Sequence, residues 1–310
     1  MADQHDHDHP DLEEVIRTGG CEDHEDPAWV VAHDNYRLLS VNVNLRIGDL
    51  GFAERLRWLL EPFIQPKLLH ESVIIDVGPL EDKVHPEDPW WAYDADGPDE
   101  FVGTKEAVLN RAVWHIHSLV QKRTADFLLL HASAVARNGT GILLPAARDT
   151  GKSTLAAALL REGFRYLSDE LGAIDPVTRR AYPFPKRITL DEESLAFFPG
   201  LETRLEDKAG IGEWLYQRYA RPEDLDSSVS GPVMIGAIVF PTMEREGPAR
   251  LVEMSRAAAV EEMARQCFNL FRYGPRGVKL LADIANDAKS YRLEGGTPPE
   301  RARAVADELG

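Results

Sequence analysis

The sequence predicts an α/β fold in which an apolar strand runs into a glycine–lysine loop at the head of a helix, with a smaller α/β region before it. Three observations lead there. Residues 140–161, "TGILLPAARDTGKSTLAAALLR", pass from an apolar strand through a polar loop into a run of strong helix formers. "FRYLSDE" (164–170) follows directly, a second strand that ends in two carboxylates. Elsewhere short β-branched or alternating runs exchange with segments of helical period, the order expected when helices cover a sheet.

Taken in order, the chain alternates weakly from Trp29 to Val43, and "YRLLSVNVNLRI" (36–47) reads as a strand. "FAERLRWLLEPF" (52–63) reads as an amphipathic helix stopped near Pro62, and "SVIIDV" (72–77) as a strand. Residues 79–100 are rich in Pro, Asp and Glu, which predicts a long exposed loop or a domain junction. Residues 105–123 have helical periodicity, with Ala107, Val108, Ala112, His115, Leu119 and Val120 on one broad face. Trp90, Trp91 and Trp114 are read as packing and anchoring side chains. His115 and His117 stand two apart, so they do not share a helical face and are not paired as metal ligands.

Phe127–Leu130 is a buried strand, and "SAVARNGTGILL" (133–144) holds two β segments about Asn138-Gly139, a strong hairpin signal. The helix from Lys152 is expected to stop at Gly163. A turn at "DPVTRR" and the segment "AYPFPKRITL" (181–190) come next. Residues 191–230 look irregular, with a small helix near "IGEWLYQRY" (211–219). "PVMIGAIVF" (232–240) is a core strand, and "SRAAAVEEMARQCFNLF" (255–271) a helix capped by Ser255. "VKLLADIANDAKSYRL" (278–293) reads as helix then strand, and "PPERARAVADEL" (298–309) as a terminal helix with proline at its start. The expected organisation is an acidic tail over 1–26, a small α/β region over 27–104 and the main domain over 105–310.

Composition narrows the function. The net charge is −17, and ten acidic residues with a single Arg lie in residues 1–26. That segment reads as a solvated, poorly ordered tail. With no basic cluster able to neutralise a phosphate backbone, nucleic acid is not an expected partner. There is no run of about eighteen apolar residues, so no membrane span is expected, and the polar start does not read as a secretory signal. Cys21 and Cys267 are far apart and lack metal-site spacing. His5, His7 and His9 alternate with Asp6 and Asp8, but a flexible polar tail must be ordered before it can form a fixed metal site. Cytoplasm is the default location.

The candidate site is built on the loop. A phosphate-binding loop has Gly, four residues, then Gly-Lys-Ser or Gly-Lys-Thr. Here Ala146 stands at the first Gly; Ala147, Arg148, Asp149 and Thr150 follow, then Gly151, Lys152, Ser153 and Thr154. Gly151 lets the backbone approach phosphate, Lys152 brings a cation to the β and γ phosphates, and Ser153 offers a hydroxyl to Mg²⁺. The helix start adds free N–H groups and the positive end of a dipole. Ala147, Asp149, Thr150 and Thr154 complete the candidate ATP-binding set. Asp169 and Glu170 are the candidate metal-holding and proton-accepting carboxylates, and the residues alone do not divide those roles. His131, at the end of the strand before the hairpin, is either a core histidine or one aimed at the phosphates or the acid pair.

"LLLHASAV" (128–135), "GILLPAARDTGKSTLAAALLREGF" (141–164) and "YLSDELGAID" (166–175) together resemble the HPr kinase/phosphorylase superfamily. The likeness is closer to the HPr-kinase-related bacterial proteins, including those of peptide natural-product clusters. "VMIGAIVF", "MSRAAAVEEMARQ" and "LADIANDAKSYRLEGG" are similar to that family's later elements, so the resemblance spans roughly 105–295. It implies a P-loop sandwich related to phosphoenolpyruvate carboxykinase and transfer of the γ-phosphate of ATP to a serine hydroxyl. It also implies that His131 is the histidine near the phosphates, that Lys152 and Ser153 are the loop lysine and magnesium hydroxyl, and that Asp169 is the base. Glu170 falls where a second Asp is usual. Family loops carry Gly where this chain has Ala146 and Asp149, and the glycine-rich signature of the bifunctional enzymes after the acid pair is missing. The reverse reaction, and HPr itself as acceptor, are therefore not expected.

The leading expectation is an ATP–Mg²⁺-dependent phosphotransferase acting on a serine of a peptide or small protein. A kinase of a small-molecule alcohol, and a non-catalytic ATP-binding partner in a peptide-modifying assembly, remain open beside it. So does a homo-oligomer. "PFPKRITL" (183–190) is expected at the acceptor entrance, with Lys186 and Arg187 touching phosphate or an acidic peptide.

Overall fold

The computed structural model describes residues 28–67, 71–79, 90–94, 100–201, 204–205 and 218–310. The acidic tail with its His/Asp alternation, most of the expected 79–100 loop and residues 211–217 of the expected small helix lie outside the described residues; Arg218 and Tyr219, at the end of that expected helix, stand in a strand instead. The chain divides into two units. One runs to Arg37 and from Val41 to Ile116; the other holds Leu38–Ser40 and His117–Gly310. The division falls inside a helix, after Ile116, whereas the sequence boundary was set at that helix's start.

The first unit carries a six-stranded sheet. Its strands are β1 (Ala32–Leu38), β2 (Val41–Ile47), β3 (Ile64–Gln65), β4 (Val73–Pro79), β5 (Trp90–Asp94) and β6 (Glu100–Gly103), in the spatial order β3-β1-β2-β4-β5-β6. The segment read as one strand is thus two, broken at Leu39, whose φ of 54° reverses the chain. β5 lies inside the stretch expected to be a loop; its run of Trp, Ala and Tyr has the aromatic character that suits a pleated surface. Helix α1 (Leu50–Leu60) connects β2 towards the parallel strand β4. Asp49 caps it, accepting from Phe52 N at 2.7 Å, and buries Phe52, Leu56 and Leu60. Arg46 clamps Asp76 through two 2.6 Å hydrogen bonds across the β2–β4 pair.

Helix α2 (Lys105–Arg123) spans the division. All six side chains assigned to its broad face are buried, and so are both His115 and His117. Trp114 is instead exposed, with the Arg111 guanidinium 4.4 Å above its ring.

The second unit is built on a larger mixed sheet. β7 (Leu128–Arg137) and β8 (Thr140–Pro145) form the expected hairpin, with Asn138 and Gly139 at φ 53° and 78°. Helix α3 (Lys152–Arg161) follows and ends before Gly163, at φ 87°. Then come β9 (Arg165–Ser168), β10 (Leu171–Ile174), β11 (Arg180–Tyr182) and β12 (Ile188–Leu190). β12 joins β13 (Arg204–Leu205) and β14 (Arg218–Ala220) in a three-stranded sheet. β15 (Val233–Pro241), β16 (Arg250–Glu253), helix α4 (Arg256–Arg265), helix α5 (Pro275–Asp287), β17 (Lys289–Glu294) and helix α6 (Pro298–Leu309) complete the chain. The main sheet runs β11-β10-β7-β8-β15-β17-β16, with β9 on β7. β8, β15 and β17 are parallel at its centre. Ser255 caps α4, as its sequence suggests.

The two faces of this sheet make two cores. Ile142 and Leu144 of β8 pack with Leu155, Leu159 and Leu160 of α3 and with Val305 of α6. Leu143, one residue out of phase, packs on the other side with Met263 of α4 and Ile284 of α5. Each such aliphatic side chain removed from water contributes roughly 1.5–3 kcal/mol. Both ends of the β8–loop–α3 segment are therefore anchored in core while the loop between them stays at the surface. No helix among the described residues is long and apolar enough to cross a membrane.

Candidate functional site

β8 ends with buried Pro145, and the next residue, also buried, is Ala146, whose N donates to His131 O at 3.3 Å and ties the loop's start to β7. Ala147, Arg148 and Asp149 are then exposed. Asp149 adopts φ 61°, the left-handed region that favours glycine and that Asp tolerates better than most residues. Gly151 follows at φ 83° and serves as N-cap of α3 without any side-chain cap, so the first N–H groups of the helix keep their capacity for an anion. A Cβ on Gly151 would lie 3.1 Å from the Arg245 guanidinium, which places that arginine against the loop.

Lys152 is 6% exposed, and its Nζ donates to Ala147 O at 2.6 Å, beside the Thr150 hydroxyl, which donates to the same oxygen at 2.8 Å. Burial brings the Lys152 ammonium down to about 8, against the charges of Glu170, Asp149 and Asp169. Ser153 is half-buried in the first turn of α3. Thr154 is buried, and its hydroxyl pairs with Ser194 Oγ at 2.7 Å, so it is committed to the protein.

The acid pair sits in the turn from β9 to β10, held by four hydrogen bonds to its backbone. Ser168 Oγ accepts from Glu170 N and Leu171 N, Ser133 Oγ donates to Asp169 O at 2.9 Å, and Ala132 N donates to Glu170 O at 3.1 Å. The two side chains differ sharply. Asp169 is 1% exposed. It accepts from Tyr166 Oη at 3.0 Å, from Thr189 N at 3.0 Å, and from Lys186 Nζ at 3.0 Å on one oxygen and 3.2 Å on the other. Glu170 is 35% exposed, with Lys186 Nζ at 3.4 Å and His117 Nδ1 at 3.8 Å, both on Oε2. Burial opposes the Glu170 charge, but Lys186, then His117 and His131, outweigh it and hold the carboxyl below the usual range. Burial likewise opposes the Lys186 charge, and Asp169 and Glu170 overcome it and push the ammonium up.

Two histidines flank the acids. Burial brings His117 down to about 4, despite the opposing charge of Glu170, so it is neutral near pH 7 and its approach to Glu170 is not an ion pair there. Its ring stands edge-on to Phe184, and its Nε2 is buried with no hydrogen-bond partner among the described residues. His131, opposite Leu171 across the β7–β10 pair, is also brought down to about 4, first by burial and then by Lys152. Its ring rests on Phe268, 5.5 Å between centroids.

The sheet thus gathers Lys152, His131, Asp169 and Glu170, drawn from three segments, into one electrostatic neighbourhood. Lys186 and Arg187, expected at an acceptor entrance, are both buried, and Lys186 is engaged by the acids. His117, Tyr166 and Arg245 join the site without having been singled out for it. His117 was set aside because its only histidine neighbour in sequence is on another face; its partner, Glu170, is 53 residues away and no spacing rule reaches it. No cluster of three or more His, Cys, Asp or Glu able to hold a metal occurs among the described residues. No family model matches this chain, and no curated protein matches it.

Proposed function

We propose that this protein is an ATP–Mg²⁺-dependent phosphotransferase of the HPr-kinase-like kind, with an alcohol as acceptor, most favourably a serine hydroxyl of a peptide or small protein. The observation that carries the reading is the start of α3, where Gly151 caps the helix with no side chain and the buried Lys152 lies in its first turn, with the acid pair at the end of β9 near enough for its charge to act on that lysine. A glycine-capped helix start with a buried lysine is a phosphate site. A carboxylate near such a lysine can take the proton of an incoming hydroxyl. The family resemblance over 127–175 points the same way.

In this reading the uncapped N–H groups of α3, Lys152 and Arg245 bind and orient the phosphates. Mg²⁺ needs near-octahedral oxygen ligands and keeps several waters, so it requires only one or two protein oxygens beside the phosphates. Ser153 and the part-exposed Glu170 suit that demand; Asp169, already engaged by Tyr166, Thr189 and Lys186, suits it less. When bound, the metal neutralises phosphate charge. A carboxylate of the acid pair accepts the acceptor's proton as the acceptor oxygen bonds to the γ-phosphorus and the bond from that phosphorus to the β–γ bridging oxygen breaks, ADP leaving with the electron pair; His131, neutral, adds no second positive charge beside Lys152. Calorimetry with Mg²⁺–ATP, and transfer of label from [γ-³²P]ATP to peptides or to small alcohols, test the reading; wild-type protein that binds no nucleotide overturns it.

One observation favours a second reading, a non-catalytic ATP-binding partner. Asp149 puts an exposed carboxylate in the loop, close enough to act on Lys152, where a phosphate would meet its charge. Tight nucleotide binding without transfer to any acceptor or to water distinguishes it.

A further inference from the structure

The acid pair looks symmetrical in sequence and is not so in space. One ammonium, Lys186 Nζ, serves both carboxylates: it is 3.0 Å from Asp169 and 3.4 Å from Glu170, in a side chain 9% exposed. Nζ also approaches Thr189 Oγ1 at 3.1 Å and Arg187 O at 3.4 Å, so its three protons are fully spent inside the protein. Asp169 has donors on both oxygens. The approaches recorded to Glu170 are both to Oε2, by Lys186 Nζ at 3.4 Å and His117 Nδ1 at 3.8 Å. Its Oε1 receives no hydrogen bond from any described residue.

We propose that Lys186 is a positioning residue: with Asp169 it forms a buried ion pair whose task is to fix the Glu170 carboxylate, with Oε1 turned to the ligands, so that Glu170 and not Asp169 is the acid that serves the nucleotide site. The idea rests on the phosphotransferase reading and reverses the roles that the family resemblance implies for the two acids. The physical case is one of capacity. A carboxylate offers about four lone-pair positions. Asp169 spends its positions on a phenol, a backbone N–H and an ammonium, and its side chain is 1% exposed, so a metal or hydroxyl could reach it only if its buried neighbours moved. Glu170 keeps one oxygen available and a third of its side-chain surface open.

His117 supports the same arrangement. It is nine-tenths buried, and its Nδ1 faces the oxygen that Lys186 already holds. Lys186 and His117 together bracket Oε2 and limit the rotamers by which Glu170 could turn away.

The test uses the full chain and five forms: wild type, Glu170→Gln, Asp169→Asn, Lys186→Met and the double variant Asp169→Asn/Lys186→Met. Three readouts apply: melting temperature, Mn²⁺ affinity of the protein–ADP complex by electron paramagnetic resonance, and kcat and KM for phosphate release from Mg²⁺–ATP to water. Glu170→Gln should melt as wild type yet lose about 10²-fold or more in kcat and weaken Mn²⁺ binding. Asp169→Asn should melt lower and lose at least tenfold less kcat than Glu170→Gln, compared at equal folded fraction. Lys186→Met should fall in both melting temperature and kcat, with KM for ATP little changed. The double variant, which removes both charges of the buried pair, should regain melting temperature but not kcat, because Glu170 has lost its holder.

A folded Asp169→Asn protein that is inactive while Glu170→Gln still turns over overturns the assignment. A double variant that regains both stability and kcat reduces Lys186 to a structural charge and equally refutes it. The melting cycle needs no nucleotide. If wild type binds no ATP, the phosphotransferase reading fails, and additive melting shifts in the cycle would separately refute the Asp169–Lys186 pair.

Discussion

The loop before α3 and the turn after β9 meet at one site but are built in opposite ways. The loop exposes Ala147, Arg148 and Asp149 and holds itself together with local bonds, such as those from Lys152 and Thr150 to Ala147 O. The acid turn is buried and cross-linked to distant segments through Ser133, Lys186 and Thr189. Loop residues should therefore govern ligand affinity with little effect on stability. In the turn, the buried Asp169–Lys186 pair should move stability and the part-exposed Glu170 should move rate, and the predictions below press on the difference between loop and turn.

The largest effect is expected at Lys152. Lys152→Ala should weaken Mg²⁺–ATP binding by about 10²–10³-fold, the order expected when a buried, hydrogen-bonded charge loses its partner role. Its melting temperature should barely move, because what it releases is one exposed carbonyl. Calorimetry beside thermal melting checks this; a large fall in stability with unchanged affinity would erase the contrast between loop and turn.

The second prediction concerns acid. His117 is held at about 4 in the fold against 6.5 when free. Between those values the unfolded chain binds the proton that the native state refuses, so stability rises with pH across the window and falls as pH drops from 6.5 to 4. For this buried group the loss is roughly 3 kcal/mol at about 1.4 kcal/mol per unit. His131 adds a smaller loss of the same sign, since it is more exposed. His117→Gln should flatten the dependence, read by urea unfolding at pH 4.5, 5.5 and 7. An unaltered slope would show that the acid turn does not depend on a neutral His117.

Gly151→Ala comes third. The left-handed φ of 83° costs a residue with a Cβ about 1–3 kcal/mol, and the new methyl would press on the Arg245 guanidinium at 3.1 Å. Nucleotide affinity should fall by about tenfold, with a modest drop in melting temperature. An affinity equal to wild type would remove Arg245 and the loop's close approach from the site.

How much of this was legible in sequence follows the same division. The strand–loop–helix, the Asn138-Gly139 hairpin and the Ser255 cap are written in contiguous residues, because each is decided by bonds within a few positions. The break at Leu39 was not legible, since a left-handed leucine carries no turn signal. β5 was hidden by the prolines and acids around "WWAYD", which made the whole stretch resemble a loop. In the site, the loop was read from spacing, but its arginine was not: Arg245 comes from the segment after β15, 93 residues beyond Lys152. The two acids read as a pair in sequence, but the inequality between Asp169 and Glu170 is set by Tyr166, Lys186 and His117. Only folding brings those side chains to the turn.

Asp149→Gly is the smallest expected effect and the one that separates the two functional readings. Asp149 holds φ 61°, which glycine adopts without the strain of a Cβ, so the replacement leaves the turn intact. It also removes a negative charge that acts on Lys152. At the surface, charge effects between partly solvated groups are screened and amount to about 1 kcal/mol or less. ATP affinity should therefore rise by a few-fold, more at low salt than at high salt. If Asp149 merely burdens an active phosphotransferase, kcat rises or stays level as affinity improves. If it marks a loop specialised for occupancy without turnover, affinity rises while transfer to water and to every acceptor remains absent. A fall in affinity would mean that the carboxylate itself helps to bind the nucleotide complex, and the charge argument for the second reading would fail with it.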